Sequence, residues 1–172
     1  VDAFHRVLAD QLDSADLIVT SGGVSAGAYE VVKDAFTGNG VEFRKVAMQP
    51  GMPQGAGTYR GVPVVTLPGN PVSAQVSFEV FLRPALRSAM GHTVIHKPTR
   101  TAVIAAALHS PPGRRQFRRG VYDPAAGTVT LVGGPGSHLL SALAVANCLV
   151  IVPEGVSEVA AGESVTVVGL DA

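Results

Sequence analysis

Two glycine-rich stretches constrain this chain more than any other feature. "DLIVTSGGVSAG" occupies residues 16–27 and "VPVVTLPGNPVS" residues 62–73. Each starts as a short apolar run that reads as a buried strand, breaks into small residues, and enters a segment with helical periodicity. Strand, tight turn and helix, used twice, imply an α/β architecture with parallel strands. Both loops then fall at the carboxyl ends of their strands, where open α/β sheets bind ligands. Small residues let a ligand approach the backbone, and N–H groups at a helix start favour an anion. In the second loop Pro68 and Gly69 make the turn, Asn70 is placed as N-cap and Pro71 as the first helical residue. Ser73 then falls in the first turn. In the first loop Thr20, Ser21 and Ser25 bring hydroxyls, while Gly22 and Gly23 permit sharp backbone turns. Capped helix starts share this pattern, so the loops alone leave two readings open, structural caps or a phosphate cradle.

The rest of the chain divides by pattern. Residues 3–13 carry Phe4, Val7, Leu8 and Leu12 at helical spacing. "YEVVKDAF" (29–36) reads as a short helix, "VEFRKVAM" (41–48) as a strand, and "QPGMPQGAG" (49–57) as a loop. A helix is expected from about Pro71 to Met90, kinked or broken at Pro84 and closed by Gly91. After "GHTVIHKPT" every apolar run is short and bounded by turn signals such as "PPG", "PAAG" and "PEG". That spacing predicts a small all-β barrel or sandwich, with "SALAVAN" (141–147) ambiguous and compatible with a short helix. The expected domains are 1–93, α/β, and 97–172, all-β.

Composition removes several function classes. The 172 residues are 47% hydrophobic and 15% charged, which suits a packed chain, and with no Trp the core must be built from Val, Ala, Leu and Ile. Net charge is zero, which gives no global case for nucleic acid, although Arg114, Arg115, Arg118 and Arg119 cluster as either a solvated hairpin tip or an anion contact. No apolar run approaches a membrane span, and no signal peptide is visible. The single cysteine, Cys148, excludes an internal disulfide, reads as a buried strand residue, and fits a reducing cytosol. The five histidines lack metal-ligand spacing, so no zinc site is expected. Asp16, Glu30 and Asp34 are the carboxylates near the loops. Glu30 can favour a helix start or hold Mg²⁺, and Lys33, three residues on, can pair with it or with a substrate phosphate.

"DLIVTSGGVSAGAYEVVKDAF", "VAMQPGMPQGAG", "LPGNPVSAQVSFEVFLRPAL" and "GSHLLSALAVANCLVIVPEG" occur together and in this order. The set closely resembles the C-terminal half of the MoeA family, the molybdopterin molybdenumtransferases, whose eukaryotic relatives include the gephyrin E domain. The resemblance covers essentially the whole chain. It implies part of a three-layer, MogA/MoaB-like molybdopterin-binding α/β domain, followed by the family's C-terminal β-barrel. It also implies insertion of molybdate into adenylylated molybdopterin, assisted by Mg²⁺, with release of AMP. Thr20–Ser25 and Pro68–Ser73 match the pterin-nucleotide phosphate cradle, joined by the Pro50–Gly51 turn. Asp16 and Glu30 fall on acidic positions of the family and become the metal or catalytic candidates, with Lys33 beside them. Ser73, Arg119 and Ser137 match residues suited to hold molybdate.

This chain also departs from the family. Gln49 and Met52 stand where Lys-Pro-Gly-Lys-Pro often places lysines, and losing a charged donor beside an oxyanion removes about 1.5–3 kcal/mol. The chain starts at Val1 within a helical pattern, so a piece of a longer protein is expected; the resemblance implies a homodimeric, cytoplasmic parent and no activity for these residues alone. MogA/MoaB-type proteins are the expected protein partners, with no nucleic acid and no membrane. The alternatives are a MogA-like molybdopterin adenylyltransferase and a pterin-binding scaffold without chemistry.

Overall fold

The structure is a computed structural model that describes residues 1–24, 30–136 and 140–170. It divides into two units, Val1–Val46 with Gly51–Phe78, and Ala47–Pro50 with Glu79–Ala172.

In the first unit a four-stranded sheet has the order β1-β5-β4-β2. These are β1 (Ile18–Ser21), β2 (Val41–Lys45), β4 (Pro53–Tyr59) and β5 (Val62–Leu67); the intervening β3 (Met48–Gln49) belongs to the second unit. β1 and β5 are parallel, with Thr20 opposite Thr66 and Ser21 opposite Leu67. β4 runs antiparallel to both β5 and β2. The carboxyl ends of β1, β5 and β2 and the amino end of β4 therefore share one edge. Helix α1 (Asp2–Leu12) and helix α2 (Val31–Phe36) pack together. Phe36, fully buried, meets Phe4 edge-on at 5.6 Å and Tyr59 at 5.3 Å. These ring contacts fix α1 and α2 against β4.

The expected loop over 49–57 is a strand from residue 53 onward. Its glycines hide the pattern. A Cβ on Gly57 would stand 2.0 Å from the Gly40 carbonyl oxygen, and one on Gly55 would stand 2.4 Å from Thr66 Oγ1. Gly57 meets neighbouring backbone and Gly55 meets the Thr66 and Phe43 side chains, so the strand cannot carry the alternating side chains that betray a strand in sequence.

The long helix expected after the second loop forms in three pieces: α3 (Pro71–Ser77), a π-helical segment (Phe78–Leu82) and α4 (Arg83–Ala89). Pro84 lacks an N–H and its ring crowds the carbonyl four residues back. The wider π turn takes up that misfit and the helix continues instead of breaking. It ends as expected at Gly91, at φ 79°, with His92 N–H donating to the Arg87 carbonyl.

The second unit is a closed barrel. β6 (Thr99–Ile104), β8 (Arg115–Asp123), β9 (Thr128–Leu131), β10 (Cys148–Val152) and β12 (Ser164–Gly169) join in the ring β8-β10-β12-β6-β9-β8. β3 pairs in parallel with β8, and β7 (Leu108–His109) pairs with β11 (Glu158–Val159). The ambiguous "SALAVAN" segment is helix α5 (Leu140–Val145). The barrel core is mainly valine, with Val129, Val150, Val152 and Val167 all nearly inaccessible. It follows the composition, which supplies β-branched residues and almost no rings. Closure happens at Gly120, which pairs with Cys148 on one side and Leu131 on the other. A Cβ there would meet Val129 Cγ2 at 2.8 Å.

Two outcomes test this packing. Gly57→Ala is expected to cost at least about 2 kcal/mol in urea unfolding, since the clash is with backbone that cannot step aside. Burial pushes the Cys148 thiol up to about 11, against the opposing pull of the Tyr122 backbone. The thiol is 1% exposed, so iodoacetamide at pH 8 is expected to label it only as fast as the barrel unfolds.

Candidate functional site

The parallel pairing of β1 with β5 brings the two glycine loops side by side. Gly22 N–H donates to the Leu67 carbonyl at 3.0 Å, which ties the first loop to the last residue of β5. A Cβ on Gly69 would stand 3.0 Å from Gly22 Cα. No other residue type lets the loops meet this closely. Gly22 and Gly23 have φ of 92° and 67°, and a Cβ on Gly23 would press on Val32 of α2 at 3.0 Å. The Gly23 carbonyl accepts from Lys33 N–H at 3.1 Å and fixes α2 behind its loop.

Asn70 is the N-cap of α3, its Oδ1 accepting from Val72 N–H at 3.2 Å, with Pro71 in the first turn. Ser73 lies in that turn and is buried. Pro68 is buried and Gly69 exposed. Thr20, opposite Thr66, leaves its buried Oγ1 without a hydrogen-bond partner among the described residues. A buried hydroxyl left over at the strand end is a group a ligand or a water can satisfy. Ser25 and Ser137 lie outside the described residues.

A cavity of about 490 Å³ opens in this unit, lined by Val24, Lys33, Phe43, Lys45, Met52 and Gln54 among others. Val24 lies in the first loop, Lys45 ends β2, and Gln54 is the second residue of β4, so the cavity sits on the shared edge. Gln54 Nε2 donates at 2.6 Å to both the Gly51 carbonyl and Ser77 Oγ, which ties the Pro50–Gly51 turn to α3 at Gly51. The lining includes Lys33, Arg44 and Lys45, and Arg44 already pairs with Glu42 at 2.6 Å. Lys45 is the residue that sequence reading missed. Along β2, Val41, Phe43 and Lys45 share one face, so a lysine occupies an apolar-phase position at the end of the strand. That phase break was the available signal.

The carboxylates separate. Glu30 is the N-cap of α2, just beyond the first loop, and is half-buried. Asp16 precedes β1 and is exposed, at the opposite edge of the sheet. At about 3.3 Å per strand residue, β1 alone holds the two ends on the order of 10 Å apart. No cluster of three or more His, Cys, Asp or Glu able to hold a metal occurs among the described residues.

In the barrel, Arg119 is 3% exposed. Its Nη2 donates to the carbonyls of Gly134, at 2.5 Å, and Gly136, at 3.0 Å. Burial lowers its pKa; burial and then the charge of Arg119 lower that of Arg118.

Comparison with known proteins decides the family. Residues 1–88 match the family described as "Probable molybdopterin binding domain", and residues 101–170 match the MoeA C-terminal region, domain IV. The chain belongs to the MoeA family. Among its curated relatives, molybdopterin molybdenumtransferase 2 of Mycobacterium tuberculosis is 59% identical over 97% of this chain and 43% of its own length. The molybdopterin molybdenumtransferase of Haemophilus influenzae is 36% identical over 95% and 42%. A crystal structure of the molybdopterin biosynthesis MoeA protein from Pyrococcus horikosii matches with TM-score 0.81 and 25% identity over 98% of this chain and 41% of that one. A molybdenum cofactor biosynthesis protein from Pyrococcus furiosus matches with TM-score 0.74 and 26% identity, over 98% and 54%. The chain thus spans less than half the length of the curated MoeA relatives compared here. Among the described residues no helix is long and apolar enough to cross a membrane.

The contact between the MoeA loops generates a direct expectation. Gly69→Ala should force the loops apart and lower stability by about 1–3 kcal/mol in urea unfolding, with α3 still capped by Asn70.

Proposed function

We propose that the protein to which these residues belong inserts molybdate into adenylylated molybdopterin and releases AMP. The observation that carries the reading is the meeting of two glycine loops, at the carboxyl ends of adjacent parallel strands, beside a basic cavity. Backbone N–H groups, the Thr20, Ser21 and Ser25 hydroxyls and Ser73 are suited to the phosphates of the pterin nucleotide. Lys33 and Lys45 supply the positive charge that Gln49 and Met52 do not, and an ammonium serves an oxyanion as a mobile point charge. Glu30 can act as a base or as the one protein carboxylate on a Mg²⁺ whose other oxygens come from phosphates and water. Asp16 stands outside this arrangement. By family resemblance Arg119 and Ser137 are the barrel's candidates for the oxyanion.

The domains remain proposed as 1–93 and 97–172. Catalysis is proposed for the full-length, cytoplasmic homodimer rather than for these residues alone, with MogA/MoaB-type proteins as partners. The adenylyltransferase reading is disfavoured by the barrel, which matches the MoeA C-terminal region. Binding without chemistry is the second reading, favoured by the uncharged Gln49 and Met52.

The test is molybdate-dependent AMP release by the full-length parent. Glu30→Gln is expected to lower kcat by at least about a hundredfold, the scale of a lost acid–base or charge-stabilising group. Lys33→Ala with Lys45→Ala is expected to raise the KM for molybdate by about ten- to a hundredfold. Tight pterin-nucleotide binding with no AMP release in the parent would leave the binding module as the better account.

A further inference from the structure

Arg119 carries an unusual load for one residue. Its backbone carbonyl accepts from Val132 N–H at 3.0 Å, at the start of the loop that follows β9. Its side chain reaches the other end of the same loop, where Nη2 donates to the carbonyls of Gly134 and Gly136. Nε is buried without a hydrogen-bond partner among the described residues. The loop is "VGGPG", with Gly133 at φ 66° and Pro135 without an N–H. A chain this permissive has many conformations to lose, and only a two-point attachment selects one.

The side chain is aimed by the barrel itself. Gly120, the next residue, is where β8 exchanges β10 for β9, and Arg119 pairs with the fully buried Leu149 just before that corner. An anion arriving at Nη2 would meet two carbonyl oxygens already there, each carrying partial negative charge. It would have to displace two charge-assisted hydrogen bonds before making its own.

We propose that Arg119 is a positioning residue, which sets the Val132–Gly136 loop, rather than a direct ligand of the oxyanion. The kinetic part of this inference rests on the transferase reading above. The structural part does not.

The experiment uses the full-length parent with Arg119→Ala and Arg119→Lys. Amide hydrogen exchange is followed in peptides covering 131–136 and 140–147, with β6 and β12 as internal controls. Both substitutions are expected to speed exchange in the loop peptides by about ten- to a hundredfold, because a lysine keeps the charge but cannot span both carbonyls. Methylguanidinium added to Arg119→Ala should restore most of the protection. In AMP release, both variants should lose kcat while the KM for molybdate stays within about twofold. Loop exchange that is unchanged in both variants overturns the proposal. So does a KM for molybdate that rises tenfold in Arg119→Ala and recovers in Arg119→Lys, the signature of a charge that touches the anion. If β6 and β12 also lose protection in Arg119→Ala, the Arg119→Lys exchange decides. If the unmodified parent releases no AMP, the transferase reading fails and the exchange result still decides the role of Arg119.

Discussion

The approach of Gly22 to Gly69 governs the first unit. Two parallel strands at their ordinary spacing deliver two loops to one edge, where Gly22 takes a positive φ and Gly69 leaves no room for a Cβ against Gly22 Cα. Everything else at that edge is arranged around the contact. The Gly23 carbonyl holds α2, Asn70 holds the start of α3, and Gln54 ties the neighbouring turn to Ser77. Polar side chains fix backbone at this edge, and backbone is left to face a ligand. This division suits recognition of phosphates, which read N–H direction more than side-chain identity.

The positive charge lining the neighbouring cavity comes from elements other than the turn. A lysine in the glycine-containing turn would have been the simplest source, and the turn offers Gln49 and Met52 instead. Lys45 projects from the end of β2 and Lys33 from α2, both lining the same cavity. Their long stems can lie along Val24 and Phe43 while the ammonium groups remain hydrated. The barrel follows a different logic, since there a guanidinium is spent on two carbonyls of its own chain.

Legibility in the sequence followed side-chain pattern. β5 and the β10 core were readable because apolar residues announced them, and the capped start of α3 was readable because Asn70 and Pro71 have fixed conformational preferences. The family resemblance rested on the same loops. β4 was not readable, because Gly55 and Gly57 are chosen for the space they leave and say nothing about period. Lys45 was half-readable, as a charge in an apolar phase. The two-carbonyl engagement of Arg119 depends on a loop fold that no local pattern encodes.

The π turn at Phe78–Leu82 has a consequence for how this helix meets its surroundings. An α-helix advances about 100° per residue, whereas a π turn is wound more loosely. Each residue after Leu82 is therefore rotated from where an unbroken wheel would place it. Leu82 and Pro84 are both buried, so a proline that would ordinarily end a helix sits on the apolar side of one that runs on past it.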